Sequence, residues 1–370
     1  MDLMIGRVRF GRQLRRLRLD GGWTVRALAR PGMSPGHLAH LENGTRNPTE
    51  ATVRYLAGRL GVTMEELLME TAPSLLHAFG VVATSGYLPV RDRIAYLRSA
   101  LDADTDAEGA LRGQALWLLT DLLVESDEHE ADDIAAAALR ELEGLADRLG
   151  EVELSVRSRA RLAGLLRAKA DPVSMAEARR LAAAALEIAG RFPVPPVVEA
   201  EVLMAVLSTG AESDPMSVGA VHLARLEELA EQLPPQLCAQ ALWTVAMVHM
   251  FQGSNTAAVQ VLEQALASLH SRDNLPLWVR LRLAAGRLHL GLEPADTNVV
   301  QAFLDEAAPA VTLLEDPKRM AELRQLQASR AVRDGDLETA RVLVADLGED
   351  AGLLEPRDLA RLREEVLAAL

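Results

Sequence analysis

The chain has 370 residues, 49% of them hydrophobic and 3% aromatic, with a formal net charge of −14. One cysteine, Cys238, excludes an internal disulfide and suits a reducing compartment, where it reads as a small buried apolar residue. No stretch reaches the about 18 uninterrupted apolar residues of a membrane helix, and no apolar run follows Arg7, Arg9 and Arg12 as a secretory signal requires, so a cytoplasmic location is expected.

The charge is unevenly spread. Residues 1–60 hold 11 Arg against 4 Asp and Glu, a balance of +7 that leaves −21 for the remainder. A basic head on an acidic body is a layout expected of a nucleic-acid reader joined to another module. The cations are almost all arginines; Lys169 and Lys318 are the only lysines.

Taken in order, Arg7 to Leu19 reads as a first helix stopped by Gly21-Gly22. Thr24 opens a second helix that runs to Arg30, followed by the tight turn Pro31-Gly32-Met33. Ser34 caps a third, with Pro35 at a position where the missing N–H costs nothing. Leu38 and Leu41 form its apolar edge, Glu42 follows and Gly44 ends it. A fourth helix runs from Thr49 to Leu60, and Thr63 with Glu66 makes the capping box of a fifth. Two short helices around a glycine turn read as a helix-turn-helix. The expected division is residues 1–70 for this module and 71–370 for the rest, with the boundary at Thr71 to Pro73.

From Ser74 onward β signal is nearly absent. Long Ala/Leu/Glu/Arg segments carry apolar residues at i, i+3 and i+4, broken by Gly, Pro or Asp. The clearest unit spans Ala241 to Leu269, with Ala246, His249, Gly253, Ala258, Leu262 and Ala265 at the positions of a tetratricopeptide-type hairpin. A second holds Ala328, Ala331, Gly335, Ala340 and Val344. Fainter copies centre on Ala163, Ala205 and Ala285, so the steps from Ala163 are 42, 41, 39 and 43 residues. A further pair is expected around Trp117, and Pro356 to Leu370 reads as an amphipathic capping or dimer helix. The expected fold is all-α, a five-helix module followed by a tetratricopeptide-like α-solenoid; a generic helical bundle is the alternative.

The text GWTVRALA at 22–29, GMS at 32–34, LAHLENG at 38–44, Pro48 and LAGRLGVT at 56–63 resembles the lambda-repressor-like, Cro-type helix-turn-helix family, also called XRE. The resemblance implies a structural Arg18–Glu42 pair and a third helix lying in the major groove. Residues expected at DNA are Arg26, Arg30, Ser34, Pro35, Gly36, His37, His40, Asn43, Thr45, Arg46 and Asn47. Pro35 and Gly36 offer no side-chain hydrogen bond, so His37 and His40 are the base-edge candidates, with phosphate contacts alone as the alternative, while Arg26, Arg30, Thr45, Arg46 and Asn47 suit phosphates. One such module covers a half-site, which implies a homodimer on double-stranded DNA.

Helical solenoids present grooves. The tetratricopeptide register points Trp243, Met247, Met250 and Phe251 inward, and in neighbouring units Arg157, Arg167, Arg282, His289, Gln325, Ser329 and Arg333. That set suits a mixed apolar and anionic ligand, either a peptide or a small molecule. A reader followed by such repeats is similar in architecture to the RRNPP peptide-pheromone regulators, in which a peptide in the groove alters dimer geometry and so DNA binding. The chain's Asn255, Asn274 and Asn298 fall in expected turns, which does not favour the asparagine clamps of that group.

No phosphate loop, H-E-x-x-H, G-x-S-x-G or cysteine pair is present, so neither an enzyme nor a cofactor or metal is expected. The run Glu125 to Asp133 fits no calcium-loop spacing and reads as a solvated acidic loop. Two functions stand: a ligand-sensing transcription regulator, or a repeat scaffold for another protein with a weak or vestigial DNA-binding head.

Overall fold

The computed structural model describes residues 7–29, 33–68, 74–86, 88–104, 109–124, 131–348 and 354. Arg30 with the turn Pro31-Gly32, the boundary Thr71–Pro73, the acidic residues Glu125–Glu130 and the segment Pro356–Leu370 lie outside them. Every regular element among the described residues is helical, and none of these helices is long and apolar enough to cross a membrane. The chain divides into two compact units, residues 1–158 and 159–370.

The first unit opens with α1 (Arg7–Asp20), α2 (Val25–Leu28), α3 (Pro35–Glu42), α4 (Glu50–Leu60) and α5 (Met64–Leu68). These are the five helices expected from the caps. The Thr24 hydroxyl accepts from Ala27 N at 3.1 Å, and Ser34 from His37 N at 3.1 Å. Thr63 and Glu66 close the capping box reciprocally, Thr63 N donating to the carboxylate at 2.7 Å and Glu66 N to the hydroxyl at 3.1 Å. Phe10 and Leu14 of α1, Leu28 of α2, Leu38 and Leu41 of α3, Val53 and Leu56 of α4 and Leu67 of α5 form one closed core. α2 has only four residues, so helices outside it hold its end: Tyr55 donates to Leu28 O at 3.2 Å, and Arg59 to Ala27 O at 3.2 Å.

The same unit continues with α6 (Leu75–Thr84), α7 (Val90–Ala103), α8 (Gly109–Val124) and α9 (Ala131–Leu149). They pack as successive hairpins, and Trp117 sits on α8 as expected.

α10 (Val152–Ala168) contains the division between the units. The second unit then alternates α11 (Pro172–Arg191), α12 (Pro196–Ser213), α13 (Ala220–Ala230), α14 (Pro235–Phe251), α15 (Asn255–Ser268), α16 (Leu275–Leu290), α17 (Thr297–Leu314), α18 (Pro317–Arg333) and α19 (Leu337–Leu347). Ala163, Ala205, Ala246, Ala285 and Ala328 are all buried, and each lies on the first helix of a hairpin. Long helices, α11 reaching 20 residues, stretch the repeat beyond the standard tetratricopeptide motif.

Each hairpin is closed by the next. Leu242 and Ala246 of α14, Ala258, Leu262 and Ala265 of α15, and Leu277, Leu281 and Ala285 of α16 make one cluster. Val279 and Leu283 of α16, Val300 and Leu304 of α17, and Leu323 and Leu326 of α18 make another. An apolar face that only a neighbour covers is the logic of a repeat array. The polar breaks set the starts: Asp171, Asn274, Asp316 and Asp336 accept first-turn backbone N–H groups through their side chains. Gly253 and Gly335 take φ of +77° and +79° in the turns within hairpins, which a side chain rarely adopts.

The tightest packing in the first unit is at Gly11. A Cβ there would lie 2.5 Å from the backbone carbonyl oxygens of both Leu41 and Glu42, so α1 touches the end of α3 through bare backbone. Gly11→Ala is expected to destabilise the chain by about 1–3 kcal/mol, read by urea denaturation. Gly58→Ala, at an exposed α4 site with open space around the new methyl, should instead stabilise by up to about 1 kcal/mol.

Candidate nucleic-acid interface and repeat inner face

Leu38 and Leu41 bury the inner face of α3 completely. The opposite face carries Pro35, Gly36 and His40, all exposed, with His37 half-buried beside them. Ser34 and Asn43 are exposed at its two ends, and Thr45, Arg46 and Asn47 are exposed in the following turn. Arg26 is exposed on α2. Ten of the eleven residues assigned to DNA are thus exposed or half-buried, Arg30 alone lying outside the described residues.

His40 is anchored on one side of its ring. Its Nδ1 lies 3.0 Å from the Thr45 hydroxyl oxygen, and that hydroxyl also lies 3.0 Å from the His40 carbonyl oxygen. A histidine ring can donate to or accept from a base edge, according to which nitrogen carries the proton.

α3 is braced from behind. Arg18 is 2% exposed; its Nε donates to Glu42 Oε1 at 2.6 Å and its Nη2 to Oε2 at 2.9 Å, the two-pronged geometry that arginine alone provides. Its Nη1 donates to Trp23 O at 3.0 Å. Burial would lower the guanidinium pKa, but the hydrogen bonds and charges of Glu42 and Asp92 outweigh it and raise the pKa above its ordinary value. The Arg18–Glu42 pair was legible by resemblance. Asp92 was not: it belongs to α7, its carboxylate lies 3.6 Å from Arg18 Nη2, and it also accepts from Arg15. Nearby, Asp20 of α1 accepts from the Tyr96 hydroxyl and lies 3.1 Å from His77 Nε2. Burial and that hydrogen bond raise the Tyr96 pKa. These partners stand far apart in the sequence, and no local pattern announces them.

In the repeats the residues expected to face inward divide into groups. Trp243 is half-buried on α14 with Met247 one turn on. Met250 packs partly against the cluster of α14, α15 and α16, and Phe251 against the cluster of α12, α13 and α14. Arg167 pairs with Glu212 of α12. Gln325 and Ser329 of α18 are both buried, with Gln325 Nε2 3.5 Å from the Ser329 hydroxyl, and Arg333 is exposed. In the first unit Arg157 lies over the Trp117 ring at 4.7 Å.

Arg282 and His289 both contact α17. Arg282 donates to Glu306 of α17 at 2.7 Å, and the His289 ring meets Phe303 of α17 at 5.6 Å. Both therefore face the second helix of their own hairpin. Helical rotation of about 100° per residue turns Arg280, two residues before Arg282, to the other side. Arg280 lies over the Trp243 ring of α14 at 4.8 Å.

The Helix-turn-helix domain family model matches residues 9–68. The uncharacterized HTH-type transcriptional regulator y4dJ of Sinorhizobium fredii is 44% identical over 62 residues, which cover 16% of this chain and 80% of the relative. Among solved structures, a Rap protein complexed with competence and sporulation factor aligns over 98% of this chain and 96% of its own, at 13% identity and a TM-score of 0.55. Bacillus thuringiensis PlcR in complex with the peptide PapR7 and DNA aligns over 83% and 96%, at 12% identity and a TM-score of 0.34. The likeness to the Rap protein concerns the fold.

Removing one partner of the buried brace leaves the other charge without compensation. Glu42→Ala should cost about 3–5 kcal/mol in urea denaturation, and Asp92→Ala about 1.5–3 kcal/mol, since Arg18 then keeps its two-pronged partner.

The N-terminal helices match a relative across most of that relative's length and carry the same motif in folded form, and on that ground the chain belongs to the HTH-type transcriptional regulators, DNA-binding proteins of the helix-turn-helix class.

Proposed function

We propose that this regulator acts as a homodimer in the cytoplasm, reads duplex DNA through α3, and changes its DNA binding when an effector occupies the inner face of its repeats. Functionally, residues 1–70 are the reader and 71–370 the sensing and dimerising region. The chain carries out no catalysis; its effector is a peptide or a small molecule.

The observation that carries this reading is the double engagement of Arg18. One guanidinium binds Glu42 at the end of the reading helix and lies against Asp92 on α7, outside the helix-turn-helix. A shift of α7 therefore bears directly on the residue that orients α3. Coupling between sites needs an element that both sites bias, and α7 with its Asp92 supports that role. The Rap protein of similar fold was solved with competence and sporulation factor, which supports an effector for the repeats.

Direct reading at α3 is narrow. Ser34, Pro35 and Gly36 present a helix N-terminus to DNA, Asn43, Thr45, Arg46 and Asn47 flank it for the backbone, and His37 and His40 supply the base contacts. Arg46→Ala should weaken binding to all duplexes alike and reduce the salt slope by about one. His40→Ala should instead change the ranking of sites; an unchanged ranking removes His40 as a base reader.

The reading as a whole is tested by selecting genomic DNA with the purified full chain, then footprinting the best site. Two half-sites about one helical turn apart establish a dimeric regulator. No enriched sequence, with binding that ignores sequence, would give the lead to a repeat scaffold.

A further inference from the structure

Side chains from three other helices reach one arginine of α16. Arg280 of α16 lies over the indole of Trp243 on α14 at 4.8 Å. The charges of Arg167 on α10 and Arg319 on α18 both reach it. Those two have carboxylates of their own: Arg167 has Glu212, and Arg319 has Glu322 at 2.7 Å and Asp316 at 3.8 Å. Among the described residues no hydrogen bond or ion pair holds the Arg280 fork.

Its surroundings are unusual. Arg280 is open to solvent, yet burial by surrounding protein, with the like charges of Arg319 and Arg167 against the opposing Glu322, pushes its pKa down to about 10. It stays charged at neutral pH. Beneath it, the Trp243 indole nitrogen is buried without a hydrogen-bond partner. A cation and an orphan N–H thus share one stacked pair, and neither has an oxygen. The chain outside residues 1–60 carries a balance of −21, so carboxylates to neutralise this arginine were plentiful. An exposed arginine without a carboxylate keeps its donors available to a ligand.

We propose that Arg280, stacked on Trp243, is the anchor for the carboxylate of an effector with an apolar body. A guanidinium fork matches a carboxylate with two parallel hydrogen bonds, and the partly exposed Trp243 and Met247, one turn apart on α14, suit an apolar group. The carboxylate can belong to a small organic acid or to the free C-terminus of a short peptide. This inference deepens the effector reading and rests on it. Arg282, the neighbouring arginine, is excluded from the role by its bond to Glu306.

The test uses the full chain with its tryptophan indole N–H signals observed by NMR, that of Trp243 identified with Trp243→Phe. Phenylacetate is titrated against phenylacetamide, and acetyl-leucyl-phenylalanine against its C-terminal amide, at constant ionic strength. A saturable shift of the Trp243 signal is expected for at least one acid, at least tenfold weaker for its amide. Arg280→Ala should abolish it, Arg280→Lys should weaken it, and Arg282→Ala should leave it unchanged. A response to the small acid identifies one source, and a response to the dipeptide alone the other. Equal binding of acid and amide, no saturable shift with either acid, or undiminished binding to Arg280→Ala overturns the site.

DNA affinity measured in the same samples separates the two proposals. Acid binding lost in Arg280→Ala, with DNA affinity untouched by the acid, keeps the anchor and removes effector control. Acid-dependent DNA affinity that persists in Arg280→Ala keeps effector control and removes the anchor.

Discussion

The buried guanidinium of Arg18 is the constraint on which the DNA-reading half of this protein depends. A charge removed from water must be paired and hydrogen-bonded on several sides, or the fold gives way. Arg18 meets that demand with the Glu42 carboxylate, the Trp23 carbonyl and Asp92. These groups come from the end of α3, the approach to α2 and the start of α7. One side chain therefore sets where the reading helix sits relative to α1, and does so from the face away from DNA. With orientation secured from behind, the outer residues of α3 carry no packing duty, and short or polar groups such as Gly36 and His40 can stand there exposed.

The backbone contact at Gly11 reinforces the same joint. α1 lies so close to the last turn of α3 that no side chain fits between them. The charge pair and the bare-backbone contact differ in kind: one is electrostatic and directional, the other steric. Together they leave α3 little freedom, while the link from α1 to Asp92 of α7 is made by the arginines Arg15 and Arg18.

The repeats solve a different problem. Small residues such as Ala246 and Ala285 let helices approach, and each hairpin relies on the next for closure. The first helices enter this packing through several of their sides, with Met250 on one cluster and Phe251 on another. On α16 the division is sharp: Trp278, Arg282 and His289 turn toward neighbouring apolar clusters and α17, while Arg280 turns to the Trp243 face.

Much of the fold was legible because it is local. Ser34 before Pro35, and Thr63 three residues before Glu66, bond to backbone within their own first turns, so those helix starts are written in consecutive residues. The evenly stepped alanines, all buried, are a periodic signal of the same kind, and they marked the first helix of five hairpins. The register of side chains around those helices was harder to read. A shift of two positions on α16 exchanges contact with Trp243 of α14 for contact with α17, and arginines occur at both. Asp92, Tyr96 and Arg280 could not be singled out from their neighbours in the chain. A cap is a bond between residues three apart, and local chemistry is enough to specify it. A charge partner on a helix far along the chain, or the choice of which arginine goes unpaired, is settled only when packing brings distant surfaces together.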